Sequence, residues 1–269
     1  MHLPTALPAA CGRRLLLAAA LALAGCTAPR APHAGAIAEL APAGTLHAAI
    51  NLGNPILADR AADGALEGVS VDLAREAARR LGVALDLVPF ESAGAVVDAI
   101  KTKRVDLAFV AIDPVRGVDT DYTPPYVVIE GAYLVREDSP LQRNDEVDRA
   151  GTRVAVGRGS AYDLFLTREL KAATIVRAPT SPAVTDLFLA QHLEVAAGVR
   201  QQLEADARRV GGVRLLPGRF MAIEQAMGVP KGRTQAQAWL GGFVDDMKAS
   251  GFVTDALRRH HVEGATVAP

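Results

Sequence analysis

The sequence predicts an α/β protein of two lobes. Two successive sets of alternating strand and helix patterns predict it, together with two extended apolar segments (residues 129–136 and 223–230) that flank the second set. Alternation of this kind builds a mostly parallel sheet between layers of helix. The unbroken apolar run at 107–112 reads as a strand buried on both faces of such a sheet.

Each element has its own signal. Residues 46–52 form the first strand, which runs out among Asn51, Gly53, Asn54 and Pro55. Ser70 is placed to cap a helix whose Val71, Ala74, Ala78 and Leu81 make an apolar stripe, and Gly82 stops it. Residues 83–88 alternate as a strand, 95–101 form a short helix, and the 107–112 strand follows. After the first extended segment and a polar stretch at 137–148, the pattern restarts. It gives strand 152–156, a glycine loop at 157–160, helix 162–170, strand 173–177, helix 184–191, strand 194–197 and helix 201–209. Beyond the second extended segment, Thr234 and Gln237 have capping-box spacing. Trp239, Leu240, Phe243, Val244 and Met247 then line one face of a helix ending near Ser250, and a last short helix carries Leu257.

The 269 residues are half apolar and carry a formal net charge of −1. That is ample for a sizeable core, and nothing is basic enough to imply nucleic acid. Arg13 and Arg14 precede an apolar stretch (15–23) too short to span a bilayer, and Gly25-Cys26 follows, so residues 1–25 read as a secretory signal. Leu23-Ala24-Gly25-Cys26 looks like a bacterial lipobox, with Cys26 as the lipidated amino terminus and a membrane anchor. The other cysteine, Cys11, lies inside the signal, so the mature chain is expected to hold no disulfide. Losing two arginines and no acids takes the net charge from −1 to −3. Residues 26–43, rich in Ala and Pro, read as a tether.

In open α/β sheets ligands sit beyond the carboxyl ends of strands. Asp113 and Arg116 follow the 107–112 strand there. A guanidinium at that edge can grip a carboxylate with two parallel hydrogen bonds; the other reading is a surface arginine after a core strand. Gly157-Arg158-Gly159-Ser160 imitates the start of a dinucleotide fingerprint, but Tyr162 stands where its last glycine belongs. His260-His261 lacks a partner at metal-ligand spacing, and no nucleophile–base set stands out. No cofactor is expected.

The order of these elements, with Gly64-Ala65-Leu66-Glu67-Gly68, Val105-Asp106, Pro114-Val115-Arg116, Asp121-Tyr122-Thr123, Pro125-Tyr126 and Gly228-Val229-Pro230-Lys231-Gly232, resembles the bacterial extracellular solute-binding proteins of family 3. The similarity runs from about residue 44 to 262. It implies the type II fold of periplasmic binding proteins: two α/β lobes, mixed mostly parallel sheets and two extended hinge crossovers, near 131–136 and 224–229. Lobe one would be 44–131 with 230–269, and lobe two with its hinges 132–229. The resemblance implies that Arg116 holds a ligand carboxylate, which Ser160 receives from the second lobe. Free amides at a helix start after Gly159 suit that role physically. Arg158 would add a second cationic contact or lie solvated in the loop. The chain departs from the family pattern at Asn54, at Ala111 and at Gly198-Val199, where an acid for an α-ammonium is missing. That absence argues against an ordinary α-amino acid, because a buried ammonium without a partner costs several kcal/mol. The implied function is a monomeric, lipid-tethered receptor of an ATP-binding-cassette importer, at the periplasm or cell surface, that delivers a small anionic or zwitterionic solute to a membrane permease. Two alternatives are an exported enzyme such as a dehydratase, with Glu130 or Asp113 as acid–base groups, and a ligand-sensing partner of a membrane receptor.

Overall fold

A computed structural model describes residues His33–Pro269. The signal, the lipobox with Cys26 and the start of the tether lie outside the described residues. The chain begins with α1 (Ala34–Leu40), β1 (Thr45–Asn51), the short pair β2 (Asp59–Arg60) and β3 (Leu66–Glu67), α2 (Val69–Leu81), β4 (Ala84–Phe90), α3 (Ala93–Lys101), β5 (Leu107–Ala111) and the long β6 (Thr120–Arg136). It continues with β7 (Arg153–Gly157), α4 (Ala161–Glu169), β8 (Thr174–Ala178), α5 (Val184–Ala190), β9 (Val195–Val199), α6 (Arg200–Val210) and β10 (Val213–Leu215). It closes with β11 (Met221–Pro230), α7 (Thr234–Ala249), α8 (Phe252–Arg259) and β12 (Thr266–Val267).

The main sheet runs β4-β1-β5-β11-β6-β9-β7-β8, with β10 and β12 also on β6. β1 is parallel to β4 and β5, and β7 is parallel to β8 and β9. Between these two parallel sets lie β6 and β11, antiparallel to each other. β11 holds β5 through Gln225–Gly228, while β6 holds β9 through Gly131–Leu134. The two extended segments therefore knit the sheets together. The inner strands of each parallel set, β5 in the first and β7 and β9 in the second, are buried on both faces, while the edge strands β4 and β8 are partly exposed. Leu46, Leu73, Leu107 and Leu240 belong to the largest apolar cluster, with Ala49, Val96 and Ile100 on the opposite face of that sheet. In the second set, Val154 and Leu166 pack on one face, Phe188 and Leu203 on the other. Each such side chain contributes about 1.5–3 kcal/mol when fully buried.

Several boundaries differ from the sequence reading, each for a physical reason. The tether does not extend to residue 43 as spacer: residues 34–40 are helical and dock on α7, burying Ala36 and Leu40. The Glu39 carboxylate accepts the Ala236 amide at 2.8 Å, so α1 supplies the acidic partner for the first turn of α7. The expected Thr234/Gln237 capping box is accordingly not formed; Arg233 is the N-cap and Gln237 donates to the Tyr122 carbonyl instead. Ser70 does not cap α2. Gly68 holds that position at φ 118°, and the Ser70 hydroxyl turns inward to the buried Tyr126 phenol, 3.4 Å away. Gly82 ends α2 in the left-handed region as expected. β6 starts nine residues before the expected segment, at Thr120 rather than 129, because its first half pairs with β11.

Candidate functional site

Strand carboxyl ends from both parallel sets point at one place. β1 ends in Asn51, β5 in Ala111 and β9 in Val199, while the loop after β7 leads into α4. Five expected residues, Asn51, Asn54, Ala111, Arg116 and Ser160, line the cavity there. Its volume is about 30 Å³, roughly the room of one water molecule.

Arg116 is 4% exposed. Its Nη1 donates to the Ala111 carbonyl at 3.0 Å and its Nη2 to the Gly159 carbonyl at 2.8 Å. The second bond crosses from one parallel set to the other. Its Nε is buried with no partner among the described residues. Burial pushes the guanidinium pKa down from its ordinary value, with Tyr122 and Asp113 opposing that. Burial also pushes the neighbouring Tyr122 phenol up to about 12, so it stays neutral and a donor. The arginine that could have been a surface residue is instead a buried cation.

Ser160 caps α4, its hydroxyl accepting the Asp163 amide at 3.0 Å. The Ser160 amide, expected with its hydroxyl to receive the carboxylate, instead donates to the Gly157 carbonyl at 3.0 Å, and the Gly159 amide donates to the Asp163 carboxylate at 2.8 Å. Gly159 therefore meets Arg116 through its carbonyl. The α4 amides left without an intrahelical acceptor are those of Ala161 and Tyr162, and both residues line the cavity. Gly159 sits at φ 69°, and an added Cβ would come within 3.1 Å of the Gly94 Cα on α3. Glycine at both positions lets the two backbones nearly touch.

Three expected residues stand elsewhere. Asp113 is buried, but its carboxylate pairs with Arg168 of α4 at 2.9 Å and accepts the Val115 amide. Arg158 is exposed on its loop. Gly198 lies under α6, where an added Cβ would meet the Leu203 side chain. Glu130, the other acid considered for proton transfer, pairs with Arg200 and Arg219. His260 Nε2, at the end of α8, donates to the Asp72 carboxylate at 3.0 Å, away from this cavity.

The sequence reading missed Tyr162, Ser181, Ile223 and Gln225 as lining residues. Gln225 had a legible signal: it is an uncharged polar residue two positions after Ile223 in a crossover that alternates, so it shares the inward face with Ile223 while Glu224 points out, and it is 6% exposed. Ser181 had none, since it arrives from the loop after β8, packed so closely on Gly157 that an added Cβ there would lie 2.6 Å from its hydroxyl.

Two α/β sets joined by paired crossovers, with a cavity where their strand ends meet, define a two-lobed binding-protein architecture. The chain belongs to the bacterial extracellular solute-binding proteins, family 3, whose sequence profile matches residues 47–263. It is 26% identical over 168 residues to the L-cystine-binding protein TcyJ of Escherichia coli (strain K12), covering 61% of this chain. The match spans 63% of that relative's length. Solved structures agree on the fold. A mutant ArgBP from T. maritima superposes with a TM-score of 0.73 at 21% identity, over 85% of this chain and 100% of that one. The solute receptor for L-cysteine of Neisseria gonorrhoeae gives 0.74 at 19% identity, over 86% and 94%. These relatives are binding proteins by name, and the family is extracellular. Among the described residues no helix is long and apolar enough to cross a membrane.

Proposed function

We propose that this chain is the solute-binding component of an ATP-binding-cassette importer and captures a small anionic or zwitterionic solute, amino-acid-like or an organic acid, between two hinged lobes. Lobe one is 44–131 with 230–269; the hinges and lobe two are 132–229. A membrane permease receives the solute, and a lipid on Cys26 holds the monomeric receptor at the membrane. The observation that carries this reading is Arg116: a buried guanidinium where the strand ends of both lobes meet, bonded across the cleft to Gly159. Arg116 grips the anion, and the hydroxyl of Ser160 with the first amides of α4 face it from the other side, beside Asn51, Asn54 and Ala111. A guest touching both lobes favours the closed form over the open one. The names of the relatives support an amino-acid-like solute class.

The test is thermal unfolding with the solute identified by mass spectrometry of the purified protein. At a hundred times Kd, binding stabilises by about 2.7 kcal/mol, which raises Tm by about 5–10 °C for a domain of this size. Arg116→Ala is expected to remove that rise. A variant that gains as much as wild type would show that the site lies elsewhere.

A further inference from the structure

Resting on that reading of the cavity, we propose that its guest is a small carboxylate without an ammonium group, and that Gln225 is a residue that sets this choice. Arg116 is the one charged side chain among the residues lining the cavity. The polar remainder is neutral: the amides of Asn51, Asn54 and Gln225, and the hydroxyls of Ser160, Ser181 and Tyr162.

The two buried carboxylates nearest in the chain are both engaged. Asp113 is held by Arg168 at 2.9 Å and by the Val115 amide. Asp163 is held by Arg177 at 3.0 Å and by the Gly159 amide. Glu130 is shared by Arg200 and Arg219. An ammonium brought into this space would lose its water and gain no counter-charge, while Arg116 would repel it. A neutral group fares differently. The Asn54 Oδ1 is buried with no partner among the described residues and accepts a hydroxyl or amide hydrogen. Gln225, 6% exposed, has no side-chain hydrogen bond among the described residues; it offers both a donor and an acceptor. β11 fixes it there, opposite Ala111 in the β5 register. The cavity thus presents one positive charge and a ring of neutral partners, which matches a monoanion bearing a hydroxyl or another uncharged polar group.

The experiment uses matched pairs that differ in that one group: glycolate with glycine, L-lactate with L-alanine, and glycerate with L-serine. Each is titrated by calorimetry into wild type, Arg116→Ala and Gln225→Glu. Wild type is expected to bind the hydroxy acid of at least one pair about a hundredfold more tightly than the amino acid, and Arg116→Ala to lose it. Gln225→Glu places a carboxylate of nearly the same shape in the cavity and is expected to move the ratio of affinities at least tenfold toward the ammonium-bearing member. Amino acids that bind wild type as well as their hydroxy partners, and are lost with Arg116→Ala, would overturn this inference and leave the proposed function standing. An unchanged ratio in a folded Gln225→Glu protein would overturn the role of Gln225. Failure of every compound to bind wild type would overturn this inference, while the proposed function is decided separately by the thermal test with the co-purified solute.

Discussion

Glu76 shows how far a single surface contact reaches in this protein. On α2 it accepts from Arg79 and from Arg80, at 2.7 and 2.8 Å. Those guanidinium groups, Arg79 first, hold its carboxyl down to about 2. A depressed carboxylate stabilises the fold at pH values above its ordinary range, and that contribution fades as pH falls from about 4.5 toward 2. Because Arg79 is largely in water and Arg80 about a third exposed, the amount is modest, about 0.2–1 kcal/mol. Glu76→Gln is therefore expected to lower stability slightly at neutral pH, with the gap closing near pH 2, as read from urea midpoints across that range. A gap that widens in acid would contradict the pairing. Arg116 is the opposite case. Its charge is taken out of water, so what it touches decides its worth, and the sequence could place it at a strand end but could not say whether it faced in or out.

At the scale of elements, glycine marks the positions where geometry allows no substitute. Gly68 caps α2 at φ 118°, and an added Cβ would stand 2.5 Å from the Leu57 carbonyl. Gly68→Ala combines left-handed strain with a backbone clash, so it is expected to cost about 1–3 kcal/mol and lower Tm by several degrees without altering solute affinity. An unchanged melting curve would mean that α2 starts elsewhere. Elements of this kind were largely legible. Gly82 announced the end of α2, the apolar run announced β5, and Gly159-Ser160 announced the start of α4. What stayed hidden depends on contacts distant in sequence. Nothing local in residues 34–40 says helix as strongly as α7 does by receiving it, and half of β6 exists because β11 lies beside it. The cavity divides along the same line. Asn51, Asn54, Ala111 and Arg116 follow strand ends and could be read from the chain, whereas Ser181 and Ile223 come in from a neighbouring loop and a crossover.

At the scale of the whole molecule, the lobes are held together by more than the cavity. Asp113 follows β5 in the first lobe and Arg168 sits on α4 in the second, 2.9 Å apart. With Asp113 4% exposed and Arg168 about a third exposed, the pair favours closure by on the order of 1 kcal/mol, about fivefold in population. Asp113→Asn is expected to enlarge the solute-free radius of gyration in small-angle scattering and to speed solute release. Identical scattering from variant and wild type would remove the latch from the account. The bond from Arg116 to the Gly159 carbonyl has a consequence of its own. The guanidinium already greets a peptide oxygen of the opposite lobe, so on the proposed site an arriving solute would be a rival to the chain for the same hydrogens. A shut outline would then be no proof of cargo, and the proposed permease, if it recognised shape alone, could be docked by an empty courier.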